Sequence, residues 1–253
     1  MSTDRIIFSR PYRASNELSN LATVLESDHI HGDGRFTKSA TAALKAITGS
    51  THALLTTSCT HALELGALLL ELGPGDEVIV PSFAFSSAAT AVALRGATVV
   101  FVDIDPSTGN IDPACVAAAI TERTKAVLVM HYGGVAADME PLLDLAELHG
   151  VALIEDNAHG LGGKWRGRSL GTIGTIGTQS FHDTKNVHCG EGGALQEGVG
   201  GAGDARDVDA HAHPGGDQRR LDDRLADVPR RVDVGDVVRD RAQARLGRHQ
   251  AGR

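Results

Sequence analysis

The chain has 253 residues, 42% hydrophobic and 22% charged, with a formal net charge of −8; that length suits one large α/β domain, or a domain with an appendage. The acidic balance gives no reason to expect a nucleic acid or an anionic membrane as partner. Cys59, Cys115 and Cys189 lie far apart with no CxxC pair, against a metal site and a disulfide framework, and no apolar run approaches a membrane span, so the expectation is a cytoplasmic, soluble protein.

Helical periodicity marks residues 15–27 and 36–48, separated by the polar turn at 31–34. Strands and helices then alternate: a strand at 53–56, a helix at 60–71, a Gly-Pro-Gly turn, and a strand at 77–81. Helices at 86–94, 113–120 and 139–148 lead to strands at 98–102, 126–130 and 151–155. The strands are continuous β-branched or apolar runs, which predicts a mostly parallel sheet with both faces covered by helices. In such sheets ligands bind beyond the carboxyl ends of the strands, and the chemically suggestive residues stand at those ends.

A short apolar run ends at Ser180 and Phe181, and Lys185 follows it ahead of a turn containing Gly190, Gly192 and Gly193. A lysine in a loop is by default a solvated charge. Here the glycines suit a backbone that approaches something closely or takes positive φ. A lysine partly removed from water offers a free amine that can form a Schiff base. The fitting partner is pyridoxal 5′-phosphate (PLP), which also needs donors for its phosphate, a carboxylate for its ring nitrogen and a flat apolar cover.

Each of those parts has a candidate with a plainer alternative. Ser58, Cys59 and Thr60 open a helix after the first strand, either as an ordinary N-cap or as a phosphate seat. Asp156 ends a strand, as a partner for a pyridinium or as a cap. His159 lies beside the ring or is a satisfied core histidine. Phe83 and Phe85 are core aromatics, or one of them stacks on the cofactor. The Ser180 hydroxyl reaches the phosphate or bonds its own backbone.

The blocks GDGRFT at Gly32, TTSCTHALE at Thr56, PGDEVIVPSFAFSSAATA at Pro74 and RGATVVFVDID at Arg95 form a specific series. It continues with HYGGVAADM at His131, IEDNAHG at Ile154, RSLGTIGTIGTQSFHDTKN at Arg168 and GEGGA at Gly190. Over about residues 5 to 195 this resembles the DegT/DnrJ/EryC1/StrS sugar aminotransferases, of PLP-dependent transferase fold type I. The resemblance implies that Lys185 is the Schiff-base lysine, Asp156 the pyridinium partner and Phe85 the stacking ring. It further implies that Ser58, Cys59, Thr60 and Ser180 hold the phosphate, and that His159 stands where relatives have Gln or His. Asn157 replaces a usual Ala, and Cys59 stands where many members have Gly. Retention of Lys185 argues for transamination over the dehydration catalysed by relatives with His there. The implied partners are a nucleotide-linked 4-keto-6-deoxyhexose, an amino-acid donor (glutamate) and a second copy of the chain in a homodimer; no metal is implied.

From Gln196 to Arg253 only Ala, Asp, Glu, Gly, Val, Leu, Pro, His, Gln and Arg occur. All ten can be encoded by codons beginning with G or C, the signature of a GC-rich gene read out of frame. The expectation is therefore a PLP-binding large domain at 1–195 and a frameshifted, disordered segment at 196–253, with the C-terminal small domain missing and little transaminase activity. A genuine low-complexity tail is the alternative for the segment, and a non-catalytic PLP-binding remnant or regulatory relative is the alternative for the function. A Rossmann-type nucleotide binder is disfavoured, because no GxGxxG follows the first strand.

Overall fold

The runs EVIVP, TVVFV, TKAVLVM and ALIED are apolar on both faces, and only a sheet covered on both sides buries them. In the computed structural model, which describes residues 10–198, they become neighbouring strands of one α/β layer, with TVVFV at its edge. The elements in chain order are α1 (Glu17–Leu25), α2 (Arg35–Thr48), β1 (Ala53–Thr56), α3 (Cys59–Leu69), β2 (Glu77–Pro81), α4 (Ser87–Ala93), β3 (Thr98–Val102) and α5 (Pro113–Ala119). They continue with β4 (Thr124–Met130), α6 (Met139–His149), β5 (Ala152–Asp156), β6 (Lys164–Trp165), β7 (Arg168–Ser169), β8 (Ile176–Ser180) and β9 (Gly193–Glu197). Seven strands form one sheet in the order β1-β9-β8-β5-β4-β2-β3. The pairs β3–β2, β2–β4, β4–β5 and β5–β8 are parallel. β9 runs antiparallel to both of its neighbours. This is the mostly parallel, helix-flanked sheet expected from the sequence.

Successive residues of one strand hold helices on opposite faces. Ile79, Val127, Val129 and Leu153 pack with Val116 of α5 and with Met139 and Leu142 of α6. Val78, Val80, Ala126, Leu128 and Ile154 pack with Leu63 and Ala67 of α3 and with Ala88, Ala91 and Val92 of α4. At about 1.5–3 kcal/mol for each large apolar side chain removed from water, both layers are anchored along their length. Among the described residues no helix is long and apolar enough to cross a membrane.

Three features differ from the sequence reading. α3 begins at Cys59, because the Ser58 hydroxyl caps it by accepting from the His61 N–H at 3.2 Å. β6 and β7 form a short antiparallel pair within a segment that carries no strand signal. β9 runs through Gln196 to Glu197, two residues past the expected boundary at Leu195. Its polar residue is satisfied inside: Gln196 donates to Thr48 Oγ1 at 2.7 Å and Ser50 Oγ at 2.8 Å, and accepts from Gln179 Nε2 at 2.8 Å. Gly193 lets this strand pass the start of α3, where a Cβ would lie 2.4 Å from the Ser58 carbonyl carbon. From residue 199 onward the segment of altered composition lies outside the described residues.

Candidate active site

The carboxyl ends of β1, β2, β4, β5 and β8 open on one cavity of about 710 Å³. All nine residues singled out in the sequence line it: Ser58, Cys59 and Thr60 after β1, Phe83 and Phe85 after β2, Asp156 and His159 at β5, and Ser180 and Lys185 at β8. Because β9 is reversed, its start reaches the same edge, and Glu191 joins the lining.

Asp156 is the last residue of β5, paired with Met130 and Thr178 and only 2% exposed. Its Oδ1 accepts from the Ala158 N–H at 3.1 Å. The chain goes into a turn after it, so the cap alternative takes the form of a local side-chain turn. Burial pushes the Asp156 carboxyl above its ordinary range, against the Ala158 N–H and the Lys185 charge. A carboxylate so placed calls for a cation in the cavity.

The sign of that shift gives a prediction. A carboxyl raised in the folded state adds stability when protonated, and the contribution is lost as pH rises through the folded value. The ionised group therefore costs stability at neutral pH. Asp156→Asn is expected to raise the melting temperature of the cofactor-free chain at pH 7, by roughly 2–4 °C for each kcal/mol recovered. The gain should vanish below the ordinary aspartate range. Thermal melts of both proteins at pH 7 and pH 3.5 check this, and a destabilised variant at pH 7 counts against it.

At the start of α3 the two readings of Ser58 are compatible. Its cap occupies the third N–H of the helix, and among the described residues the Cys59 and Thr60 N–H groups have no acceptor. Two free donors at the positive end of a helix make an anion seat. The Cys59 Sγ lies 3.5 Å from Thr178 Oγ1 and 3.9 Å from Asp156 Oδ1. Burial, helped by the Asp156 charge, pushes its thiol up to about 12. It is a neutral spacer here and not a nucleophile.

Lys185 sits half-buried in a loop closed by Cys189 N–H to Phe181 O and Asp183 N–H to Gly190 O, both 3.0 Å. Gly190, at φ 88°, makes that closure possible. The Lys185 N–H donates to His182 O at 2.9 Å, and the Ser180 hydroxyl accepts from the His182 N–H at 3.4 Å. Phe83 packs on Tyr132, with ring centroids 4.7 Å apart, whereas Phe85 is 70% exposed. Phe85 is thus the ring free to cover a ligand. His159 meets Tyr132 edge-on at 5.7 Å, and its Nδ1 accepts from the Gly133 N–H at 3.2 Å. Burial first and the Lys185 charge second hold His159 below its ordinary range, so it is neutral at neutral pH.

The profile of the DegT/DnrJ/EryC1/StrS aminotransferase family matches residues 11–197. The chain belongs to this family. Among solved structures it is similar to 3-amino-5-hydroxybenzoic acid synthase, at 40% identity over 76% of this chain and 50% of that one, with a TM-score of 0.72. It is similar to a putative sugar aminotransferase from Streptococcus pneumoniae in its PLP form, at 30% identity over 80% and 55%, TM-score 0.71. It is also similar to DesI in the presence of its TDP-sugar product, at 37% identity over 74% and 48%, TM-score 0.69. The chain thus spans about half the length of these proteins.

In this aminotransferase-family chain the sequence reading left several lining residues out. Tyr132, His182 and Glu191 all face the cavity. Tyr132 follows β4 as Phe83 follows β2, so the rule that ligands meet the first residues beyond each strand end would have found it.

Proposed function

We propose that this chain is the cofactor-binding part of a PLP-dependent transaminase for a nucleotide-linked 4-keto-6-deoxyhexose. The favoured substrate is TDP-4-keto-6-deoxy-D-glucose, the donor glutamate and the product TDP-4-amino-4,6-dideoxygalactose. Lys185 and Asp156 line one cavity with the free N–H groups of α3, and this juxtaposition carries the reading. Family membership supports the reaction class, and the TDP-sugar product of DesI supports the substrate class.

The donor set fits PLP. A buried carboxylate whose charge burial disfavours suits a protonated ring nitrogen, two unpaired N–H groups suit a phosphate, and an exposed ring suits a flat face. When bound, PLP supplies an aldehyde that takes up an amine and a protonated ring that withdraws electrons from the bond being broken. Asp156 would hold the ring-nitrogen proton. The Cys59 and Thr60 N–H groups and the Ser180 hydroxyl would hold the phosphate, and Phe85 would shield a ring face from water. The Lys185 amine would move the substrate proton as general base and acid. His159 would stand beside the ring as a neutral group.

The test is to incubate the 253-residue chain with PLP, reduce with borohydride and map the modified peptide, then assay amination of the keto-sugar nucleotide by glutamate. A pyridoxyl tag on Lys185 together with weak but measurable turnover is the expected result, since the chain spans about half the length of its relatives. A tag without turnover would favour the alternative, a PLP-binding protein that is not a catalyst. A tag elsewhere, or none, would overturn the site. Phe85→Ala is expected to weaken PLP binding roughly 2- to 12-fold, the worth of one aromatic contact, as read by fluorescence titration. Light scattering tests the homodimer that the family reading implies.

A further inference from the structure

We infer that the turn at 132–134 is a positioning device for His159: its Gly133 N–H fixes the ring as the neutral Nε2–H tautomer, so that His159 meets a bound ligand as a fixed hydrogen-bond donor and not as an acid or base. The turn is pinned at its start by His131, which is fully buried. The His131 Nδ1 accepts from the Ala137 N–H at 3.2 Å, which leaves its proton on Nε2, 2.8 Å from Glu155 Oε2. The Gly134 N–H donates back to His131 O and the Val135 N–H to Tyr132 O, each at 3.0 Å. Gly133 at φ 61° and Gly134 at φ 80° are both left-handed, a conformation glycine adopts without strain. That path aims the Gly133 N–H at His159 Nδ1.

A ring nitrogen that accepts from a backbone N–H cannot itself carry a proton, because two N–H groups would then face one another. The remaining nitrogen of His159 is therefore the protonated one. The charged and titratable groups that bear on the ring are Lys185, Asp156 and the edge-on Tyr132. Burial and the Lys185 charge favour the neutral ring and Asp156 opposes them, with the first two prevailing. The ligand-facing role rests on the PLP reading; the tautomer does not.

The experiment is long-range 1H–15N correlation on the full chain with 15N-labelled histidine, free of cofactor, with His159 assigned by the signals lost in His159→Gln. The expected result is a pyridine-type Nδ1 and a pyrrole-type Nε2, held from neutral pH down through the ordinary histidine range near 6.5. Gly133→Ala keeps the N–H and has open space for its Cβ, but it puts alanine at φ 61°, a strained conformation, so it should loosen the turn and average the nitrogen shifts. Gly134→Ala places a Cβ 3.0 Å from His159 O, so it should shift the turn and give averaged nitrogen shifts. A proton on Nδ1 in the parent chain, or an ordinary titration there, overturns the inference; so does an unchanged tautomer in Gly134→Ala. Adding PLP to the same sample separates the two claims, since failure to bind sinks the cofactor reading and leaves the tautomer result standing.

Discussion

Lys185→Ala is expected to lower amination by about 10²- to 10⁴-fold, the usual worth of a positioned proton-transfer group, while leaving the denaturation midpoint nearly unchanged. The separation follows from where the side chain sits. Lys185 is half-buried on a surface loop, its backbone holds that loop through His182 O, and its ammonium makes no side-chain hydrogen bond among the described residues. Lys185→Arg should be almost as inactive, because a guanidinium stays charged at any working pH and offers no free amine. A second readout needs no cofactor. The Lys185 charge lowers the Asp156 and His159 values, so removing it should move both upward, and histidine NMR would register the latter. Steady-state kinetics of the two variants decides the main point: activity within tenfold of the parent in Lys185→Ala would remove the lysine from the chemistry.

The parts of the fold that were legible share a cause. β2 is found in full at 77–81 because a strand buried on both faces must be an unbroken apolar run, and β3 at 98–102 because even this partly exposed edge strand is a β-branched and aromatic run. β9 has no such mark. Its Gln196 is buried through Thr48, Ser50 and Gln179, residues 148, 146 and 17 positions away. A polar residue whose partners are that remote reads as surface or tail. The candidate site was legible because lysine, aspartate, serine and aromatic residues at strand ends converge by topology, and the cavity lining gathers all nine candidates. The support beneath it was not. In VALIED the glutamate looks like the polar end of a strand, yet Glu155 is fully buried while the functional candidate beside it faces the cavity.

Glu155→Ala is expected to cost about 3–5 kcal/mol, because it leaves the buried donors around that carboxylate without an acceptor. The carboxylate accepts from His131 Nε2 at 2.8 Å and from the N–H groups of Gly171, Ile173 and Gly174 at 2.9, 2.6 and 2.6 Å. It thus fastens the end of β4 and the loop at 171–174 to β5. Against a total stability of about 5–15 kcal/mol, that loss leaves the variant barely folded. Glu155→Gln preserves the volume but turns an amide donor toward groups that donate, so it should recover little. The pH dependence gives an independent check. Burial pushes the carboxyl up, but the His131 hydrogen bond and the backbone N–H groups outweigh it and hold Glu155 below its ordinary value. A depressed carboxylate contributes stability above its unfolded value, near 4.3, and loses it as pH falls through the lower folded value. Urea denaturation from pH 7 to pH 3 should therefore show an acid-sensitive parent and a flatter profile in Glu155→Gln, the opposite of the gain predicted for Asp156→Asn at neutral pH. Adjacent carboxylates with opposite responses would separate the acid that holds the site together from the one poised for a ligand. A loss below 1 kcal/mol in Glu155→Ala would mean that the loop at 171–174 is anchored by something other than this charge.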